Sequence, residues 1–282
     1  MLDAQPTSMP KPPFAPFSQT SAHTGKEKLK DALDGAEVVV IPAGFPRKPG
    51  MTRDDLFDVN AQIVRELVEA CAQAAPGAML CVITNPVNST VPIAAQVLKR
   101  ARVFDPRRLF GVTLLDVVRA ETFYARELGL LPGQVSVPVV GGHAGTTILP
   151  LFSQAVPPPP SSLSADDLRE LTRHTQDAGT EVVEAKQGKG SATLSMAYAA
   201  ERFCDALLRA MAGEPGVEIC AYVASDARKG LEFFASKVLL GENGVEKILP
   251  LGQLSEIEEK QLQKAESDLK TNIDAGLNVK LG

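Results

Sequence analysis

Three continuous apolar runs in the first half of the chain alternate with stretches of helical character. The runs are rich in β-branched residues, which is typical of strands buried on both faces of a parallel sheet. They cover residues 37–44, 78–84 and 109–113, and the predicted helices cover about 26–34, 52–71 and 91–101. Strands and helices in this alternation predict a doubly wound, Rossmann-like parallel sheet.

The second half of the chain has a different organisation. A Pro/Ser-rich loop at 157–162 precedes two long predicted helices, and a third helix closes the chain; they cover about 164–186, 191–211 and 255–273. Between them, the runs 217–224, 238–241 and 245–249 predict a small antiparallel sheet, with a hairpin turn at Glu242-Asn243-Gly244. We therefore expect an α+β domain packed against the parallel sheet.

Composition excludes several classes of partner. With 282 residues, 44% of them hydrophobic, the chain can bury a large core, and its net charge of −5 gives no basic surface for nucleic acid. No apolar run approaches the roughly 20 residues that a membrane span needs. The four cysteines are scattered in apolar segments without a C-x-x-C pair, which suits a reducing compartment and predicts no metal site.

A candidate for proton transfer is His143, one of three histidines in the chain. It follows an apolar run and stands between glycines, which allow other groups to approach closely. Upstream, Asp116 and Arg119 lie three residues apart on a predicted helix and so share a face. A carboxylate can orient an imidazole, and a guanidinium can bind a substrate carboxylate. Taken singly, a buried histidine with a structural hydrogen bond is an equally good interpretation of His143, and an ordinary intrahelical ion pair is the better interpretation of Asp116 and Arg119.

Two further segments carry polar groups at the expected edge of the sheet. A loop rich in proline and glycine, with Arg47 and Arg53, follows the first strand. Two arginines on such a loop could close over an anion, although a solvated basic loop is the alternative. Asn85 follows the second strand, where it could hydrogen-bond a polar ligand or hold an Asn-Pro turn.

Six motifs stand in order along the chain: 38–44, 46–53, 85–89, 116–120, 141–145 and 190–197. Together they resemble the mitochondrial and bacterial malate-specific branch of the lactate/malate dehydrogenase family. The resemblance runs from about Ala36 to the C-terminus. It implies an enzyme of the tricarboxylic acid cycle that oxidises (S)-malate to oxaloacetate with NAD.

The resemblance also implies a role for each matching residue. His143 would accept the hydroxyl proton while hydride leaves C2, and Asp116 would hold the ring and stabilise the imidazolium. Arg119 and Arg53 would bind the reacting end of the substrate, and Arg47 the distal carboxylate, which discriminates malate from lactate. Asn85 and Asn60 would contact both substrate and cofactor. The implied cofactor contacts are Ala43, Gly44, Asn60, Ile63, Ile83, Asn85 and Met196.

On this basis we expect a disordered tail at 1–24, a truncated dinucleotide-binding domain at 25–115 and a substrate or catalytic domain at 116–282. The resemblance implies a homodimer in the mitochondrial matrix. The N-terminus shows no clear transit peptide, which leaves the cytoplasm as the second choice. Neither nucleic acid nor a membrane is an expected partner.

The chain departs from the family pattern at its start. No G-x-G-x-x-G motif precedes Val38, and the only glycines in residues 1–35 are Gly25 and Gly35. We therefore expect an incomplete sheet with an apolar edge at 38–41 and a weakened hold on the cofactor pyrophosphate. The alternative function is an inactive homologue that serves only as a binding or oligomerisation partner. A lactate-specific enzyme is disfavoured by Arg47, and a hydrolase by the absence of a nucleophile motif.

Overall fold

The computed structural model describes residues 19–45 and 53–279, with side chains from residue 57 onward in the second range. The first half follows the predicted alternation. A 3-10 turn at Lys26–Lys28 leads into α1 (Leu29–Leu33), β1 (Val38–Ile41), α2 (Arg53–Ala74), β2 (Met79–Val82), α3 (Val87–Arg100) and β3 (Leu109–Gly111). The predicted tail lies outside the described residues except for 19–24, which are exposed.

The second half begins with α4 directly after β3. Its elements are α4 (Leu114–Leu128), β4 (Val139–Gly141), β5 (Ile148–Pro150), α5 (Ala165–Ala185), α6 (Leu194–Met211), β6 (Val217–Ala224), β7 (Phe233–Gly241), β8 (Gly244–Ile248) and α7 (Glu256–Leu277). The predicted hairpin is confirmed, because Gly241 pairs with Gly244 across the turn between β7 and β8. Ser164 and Ser255 cap α5 and α7 through capping boxes.

Helix α3 begins four residues earlier than the sequence predicts, and a proline lies inside it. Pro92 has no N–H to donate to the carbonyl of Asn88, so the helix loses one internal hydrogen bond there. The hydroxyl of Tyr222 donates to that carbonyl at 3.1 Å instead. A tertiary hydrogen bond therefore replaces the missing one and lets the helix continue through the proline.

The strands form one sheet in the order β1-β2-β3-β6-β7-β4-β5, with β8 paired to β7. Strands β1, β2 and β3 are parallel, and the remaining pairs are antiparallel. The prediction of a separate small sheet is wrong, because β6 joins β3 where Gly111 lies opposite Tyr222. A Cβ at Gly111 would lie 3.1 Å from Cβ of Tyr222 and 2.7 Å from a methyl of Val87, so only glycine allows this junction.

Helices cover both faces of the sheet, and each face has its own core. Strand β2 shows the division, since Met79 and Cys81 point to one core and Leu80 and Val82 to the other. Residues of α4, α5 and α6 pack into the first core, and residues of α2, α3 and α7 into the second. The buried, continuous apolar strand predicted for 78–84 is thereby confirmed.

Among the described residues, no helix combines the length and the apolar character that crossing a membrane requires.

Candidate active site

The imidazole of His143 lies against a fully buried carboxylate. Nδ1 of the ring is 2.5 Å from Oδ2 of Asp116, which has no solvent exposure, and the imidazole itself is 10% exposed. A carboxylate can only accept here, so Nδ1 carries the proton that it donates. In the neutral ring Nε2 is then the acceptor, and the described residues offer it no hydrogen-bond partner. The ring is therefore in the tautomer that a proton acceptor needs.

The buried charge of Asp116 is compensated from several directions. Asp116 lies in the first turn of α4, where the partial positive charge of the helix N-terminus favours an anion. Its second oxygen, Oδ1, accepts no hydrogen bond within the described chain and lies 3.6 Å from Nη1 of Arg119. The predicted shared face of these two residues is confirmed. A carboxylate arranged in this way can hold a positive charge on His143.

The guanidinium of Arg119 is close to the same centre and mostly buried. Burial lowers the pKa of Arg119 from its ordinary value, against the opposing effects of the carboxylates of Asp116 and Glu181. A Cβ added at Gly179 on α5 would lie 3.7 Å from Nη1 of Arg119, so α5 lies directly beside the guanidinium. The guanidinium, carried by α4 and packed against α5, is thus kept close to Asp116.

The glycines around His143 admit protein groups. Gly141 has a φ of +97°, and a Cβ there would lie 2.2 Å from the carbonyl oxygen of Thr147. A Cβ at Gly142 would lie 2.6 Å from Oδ1 of Asn88. The residues 142–147, called the histidine loop below, close on themselves, since the N–H of Gly142 donates to the carbonyl of Thr147 at 2.8 Å. The sequence predicted that these glycines allow groups to approach the imidazole, whereas the groups found here, Thr147 and Asn88, pack against the glycine backbone.

The ends of β1 and β2 are tied together by two buried polar side chains. The amide of Asn60 accepts from the N–H of Phe45 at 2.7 Å and donates to the carbonyl of Asn85 at 2.8 Å. The hydroxyl of Thr84 donates to the carbonyl of Ala43 at 2.6 Å. Asn60 is 2% exposed and uses both amide functions for these contacts, so its geometry favours holding the edge over touching a ligand. Sequence reasoning missed Thr84, which no motif marks.

The residues expected to contact NAD provide a surface that fits the nicotinamide half of a dinucleotide. Ala43, Gly44 and Asn85 are exposed at the carboxyl ends of parallel strands, where ligands of such sheets bind. Gly44 lies in a cradle, because a Cβ there would lie 3.3 Å from Thr84 and 3.4 Å from Asn60. The residues present therefore fit this part of the cofactor.

The other residues predicted to contact cofactor or substrate are half-buried or lie outside the described residues. Ile83 and Met196 are half-buried and pack against the same core, and Ile63 is half-buried on α2. Arg47 lies outside the described residues. Arg53 is the first residue of α2, and its side chain also lies outside them.

Two family models of known proteins together match nearly the whole chain. The family model described as the NAD binding domain of lactate/malate dehydrogenase matches residues 13–111. The model described as the alpha/beta C-terminal domain of lactate/malate dehydrogenase matches residues 113–280. The chain belongs to the lactate/malate dehydrogenase family. The matched NAD binding domain makes NAD the cofactor.

Relatives and solved structures refine this assignment. Mitochondrial malate dehydrogenase of Citrullus lanatus is 56% identical over 260 residues, which are 92% of this chain and 74% of that protein. Glyoxysomal malate dehydrogenase of the same plant is 56% identical over 254 residues, 90% of this chain and 70% of that protein. Lactate dehydrogenase of Cryptosporidium parvum, solved with lactic acid and NAD, is 26% identical with a TM-score of 0.76, covering 89% of this chain and 79% of that one. The two malate enzymes of Citrullus lanatus thus share more than half of their aligned residues with this chain, and nothing in these relatives favours an inactive homologue.

Proposed function

We propose that this chain catalyses the NAD-dependent oxidation of (S)-malate to oxaloacetate, with His143 as the proton acceptor. The observation that carries the proposal is the contact of 2.5 Å between the imidazole and a fully buried carboxylate, Asp116. The high identity to malate dehydrogenases of Citrullus lanatus supports the choice of substrate.

The proton step follows from the tautomer of the ring. The hydroxyl of malate donates its proton to Nε2 of His143, while Nδ1 keeps its hydrogen bond to Asp116. The new imidazolium then faces the fully buried carboxylate of Asp116, in the first turn of α4. NAD, when bound, supplies the acceptor for the hydride from C2. The negative charge of Asp116 thus stabilises the charge that appears on the ring during the reaction.

Substrate binding is assigned to the arginines. Arg119 would bind the carboxylate next to the reacting carbon, since its guanidinium already lies beside Asp116. Arg53 would assist at the same end, and Arg47 would bind the distal carboxylate. Asn85, exposed after β2, would contact substrate and ribose, and Asn60 would hold the backbone of Asn85 in place.

We further propose that the chain acts as a homodimer. Leu194, Tyr198 and Leu208 on α6 are 85%, 55% and 54% exposed. At 100° per residue they fall within one stripe of the helix, which a second subunit would cover. Sedimentation analysis should give about twice the mass of 30.0 kDa, and a monomer at micromolar concentration would contradict the dimer.

For location we propose mitochondria, because relatives such as the Citrullus lanatus enzyme are mitochondrial. A glyoxysomal relative of equal identity makes the glyoxysome the alternative. Imaging of a full-length fluorescent fusion would decide between them. We also retain the division into 25–115 and 116–282, which the boundary between the two family models at 111 and 113 supports.

The experiment that tests the function is a titration of the purified chain with NADH, followed by fluorescence and by oxaloacetate-dependent oxidation in the same sample. We expect saturable binding with turnover. His143→Gln should bind NADH but lose roughly 10²–10⁴-fold in kcat, and the control His23→Gln, at an exposed position, should behave as wild type. A folded sample without NADH binding at millimolar concentration would disprove the proposal.

A further inference from the structure

Asn88, in the first turn of α3, has no solvent exposure and no assigned role. Its Oδ1 accepts from the backbone N–H of His143 at 2.7 Å. Its Nδ2 donates to Oγ1 of Thr147 at 3.1 Å and to Oδ1 of Asn272 at 3.0 Å. We propose that Asn88 is a positioning residue that fixes the backbone of His143, and with it the imidazole opposite Asp116. This inference rests on the proposed role of His143.

The orientation of the Asn88 amide is dictated by its neighbours. The backbone N–H of His143 can only donate, so it must face Oδ1 of Asn88. The hydroxyl of Thr147 donates its single hydrogen to the carbonyl of Ala144 at 2.8 Å, so it must accept from Nδ2. Asn272 accepts the second hydrogen of Nδ2. One orientation alone satisfies all three contacts, and a buried amide that lost one of them would be left unpaired.

The histidine loop lies directly on this amide. A Cβ at Gly142 would be 2.6 Å from Oδ1 and 2.9 Å from Nδ2 of Asn88, so the loop backbone has no room to move toward α3. Helix α3 is equally close to α7, since a Cβ at Gly276 would be 2.3 Å from the carbonyl oxygen of Ser89. Close packing against both the loop and α7 gives α3 little freedom to shift.

The C-terminal helix, α7, makes hydrogen bonds to both α3 and the histidine loop. Ser89 donates from its hydroxyl to the backbone carbonyl of Asn272 at 2.8 Å, which is a second link between α3 and α7. On the outer side of the histidine loop, the hydroxyl of Thr146 donates to Asp268 at 2.6 Å. Helix α7 therefore contacts the loop directly and also through Asn88, although it carries none of the catalytic groups.

Three variants test the proposal. Asn88→Ala removes the acceptor for the His143 N–H, and Asn88→Asp keeps an oxygen in its place. Ser89→Ala is the matched control, because it removes one hydrogen bond from the same α3–α7 contact without touching the histidine loop. The readouts are kcat and KM for malate, thermal unfolding, and amide hydrogen exchange of the peptide that contains residues 142–147.

We expect kcat and kcat/KM of Asn88→Ala to fall together by roughly 10- to 100-fold, because a small displacement of a catalytic group costs about that much. The histidine loop should exchange faster in Asn88→Ala. Asn88→Asp keeps an acceptor for the His143 N–H but loses both donations from Nδ2, so its loop should also exchange faster and its kcat should fall in parallel. Ser89→Ala should lower the melting temperature and leave kcat unchanged.

Any of three results would overturn the proposal. The first is wild-type kcat and exchange in folded Asn88→Ala. The second is an equal loss of kcat in Ser89→Ala, which would show general packing. The third, decisive even if Asn88→Ala does not fold, is a folded Asn88→Asp in which kcat falls while the histidine loop exchanges as in wild type, because the proposed effect on turnover acts through the loop. Hydrogen exchange needs no substrate, so it tests Asn88 even if the wild-type chain fails to oxidise malate.

Discussion

Replacing Asp116 by Asn tests the electrostatic argument most directly. The charge developing on His143 lies about 4 Å from the centre of the carboxylate, and at an effective dielectric of about 20 that attraction is worth roughly 4 kcal/mol. Since about 1.4 kcal/mol corresponds to a tenfold change in rate, its loss predicts a kcat about a thousandfold lower. The Asn amide can also donate to Nδ1, which would place the ring proton on Nε2 and remove the acceptor.

The assay for Asp116→Asn is steady-state oxidation of malate, with NADH binding and the melting temperature measured on the same preparation. We expect kcat to collapse while NADH affinity stays near that of wild type. Asp105→Asn is the control, because Asp105 pairs with Arg107 at 2.8 Å near the surface, away from His143. A folded Asp116→Asn chain with kcat within tenfold of wild type would refute the reasoning.

Three other residues give predictions of their own. Arg47→Gln should lower kcat/KM for malate by about one to two decades, because a charge-assisted hydrogen bond is worth about 1.5–3 kcal/mol, and assays with malate and lactate measure the preference. Gly142→Ala should lower both kcat and the melting temperature, since its methyl would lie 2.6 Å from Asn88, whereas Gly133→Ala meets no atom within 4 Å and should change neither. For Glu121, burial raises the pKa of the carboxyl above its ordinary value of 4.5, although a hydrogen bond from an arginine acts to lower it. Its contribution to stability is complete below pH 4.5 and is lost as pH rises through the raised pKa, so wild type should lose stability relative to Glu121→Gln as pH rises above about 4.5 in thermal melts.

Each of these has a contradicting result. An unchanged preference for malate over lactate in Arg47→Gln would remove Arg47 as the specificity residue. Gly142→Ala with wild-type activity would mean that the loop can move away from α3. A constant difference in melting temperature between wild type and Glu121→Gln across this pH range would show that the carboxyl titrates as it does in the unfolded chain.

Local features of the structure were predictable from the sequence, because local physics decides them. A strand buried on both faces must be apolar throughout, which located β2, and the spacing of Asp116 and Arg119 on one helix brought them to 3.6 Å. The contact of His143 with Asp116 joins residues 27 positions apart. Spacing alone left that contact open, and only the family resemblance supplied it.

Contacts between distant segments were missed. Asn88 meets Asn272 across 184 positions, and nothing in the polar sequence of α7 marks it as a neighbour of the active site. The second asparagine of the motif at 85–89 was the available signal for Asn88. Likewise, β6 joins β3 through a single glycine position, and strand order in a sheet depends on tertiary packing that periodicity does not encode.

That junction has a consequence for how the molecule could be divided. The family models meet between residues 111 and 113, next to Gly111, where the sheet passes from β3 to β6. A fragment or chimera cut at this point would break a continuous sheet and expose two strand edges, which are templates for association with other chains. The cofactor-binding and proton-accepting halves of this chain are therefore not interchangeable modules, and an exchange between family members would have to carry β3, with Gly111 at its end, and β6 as one unit.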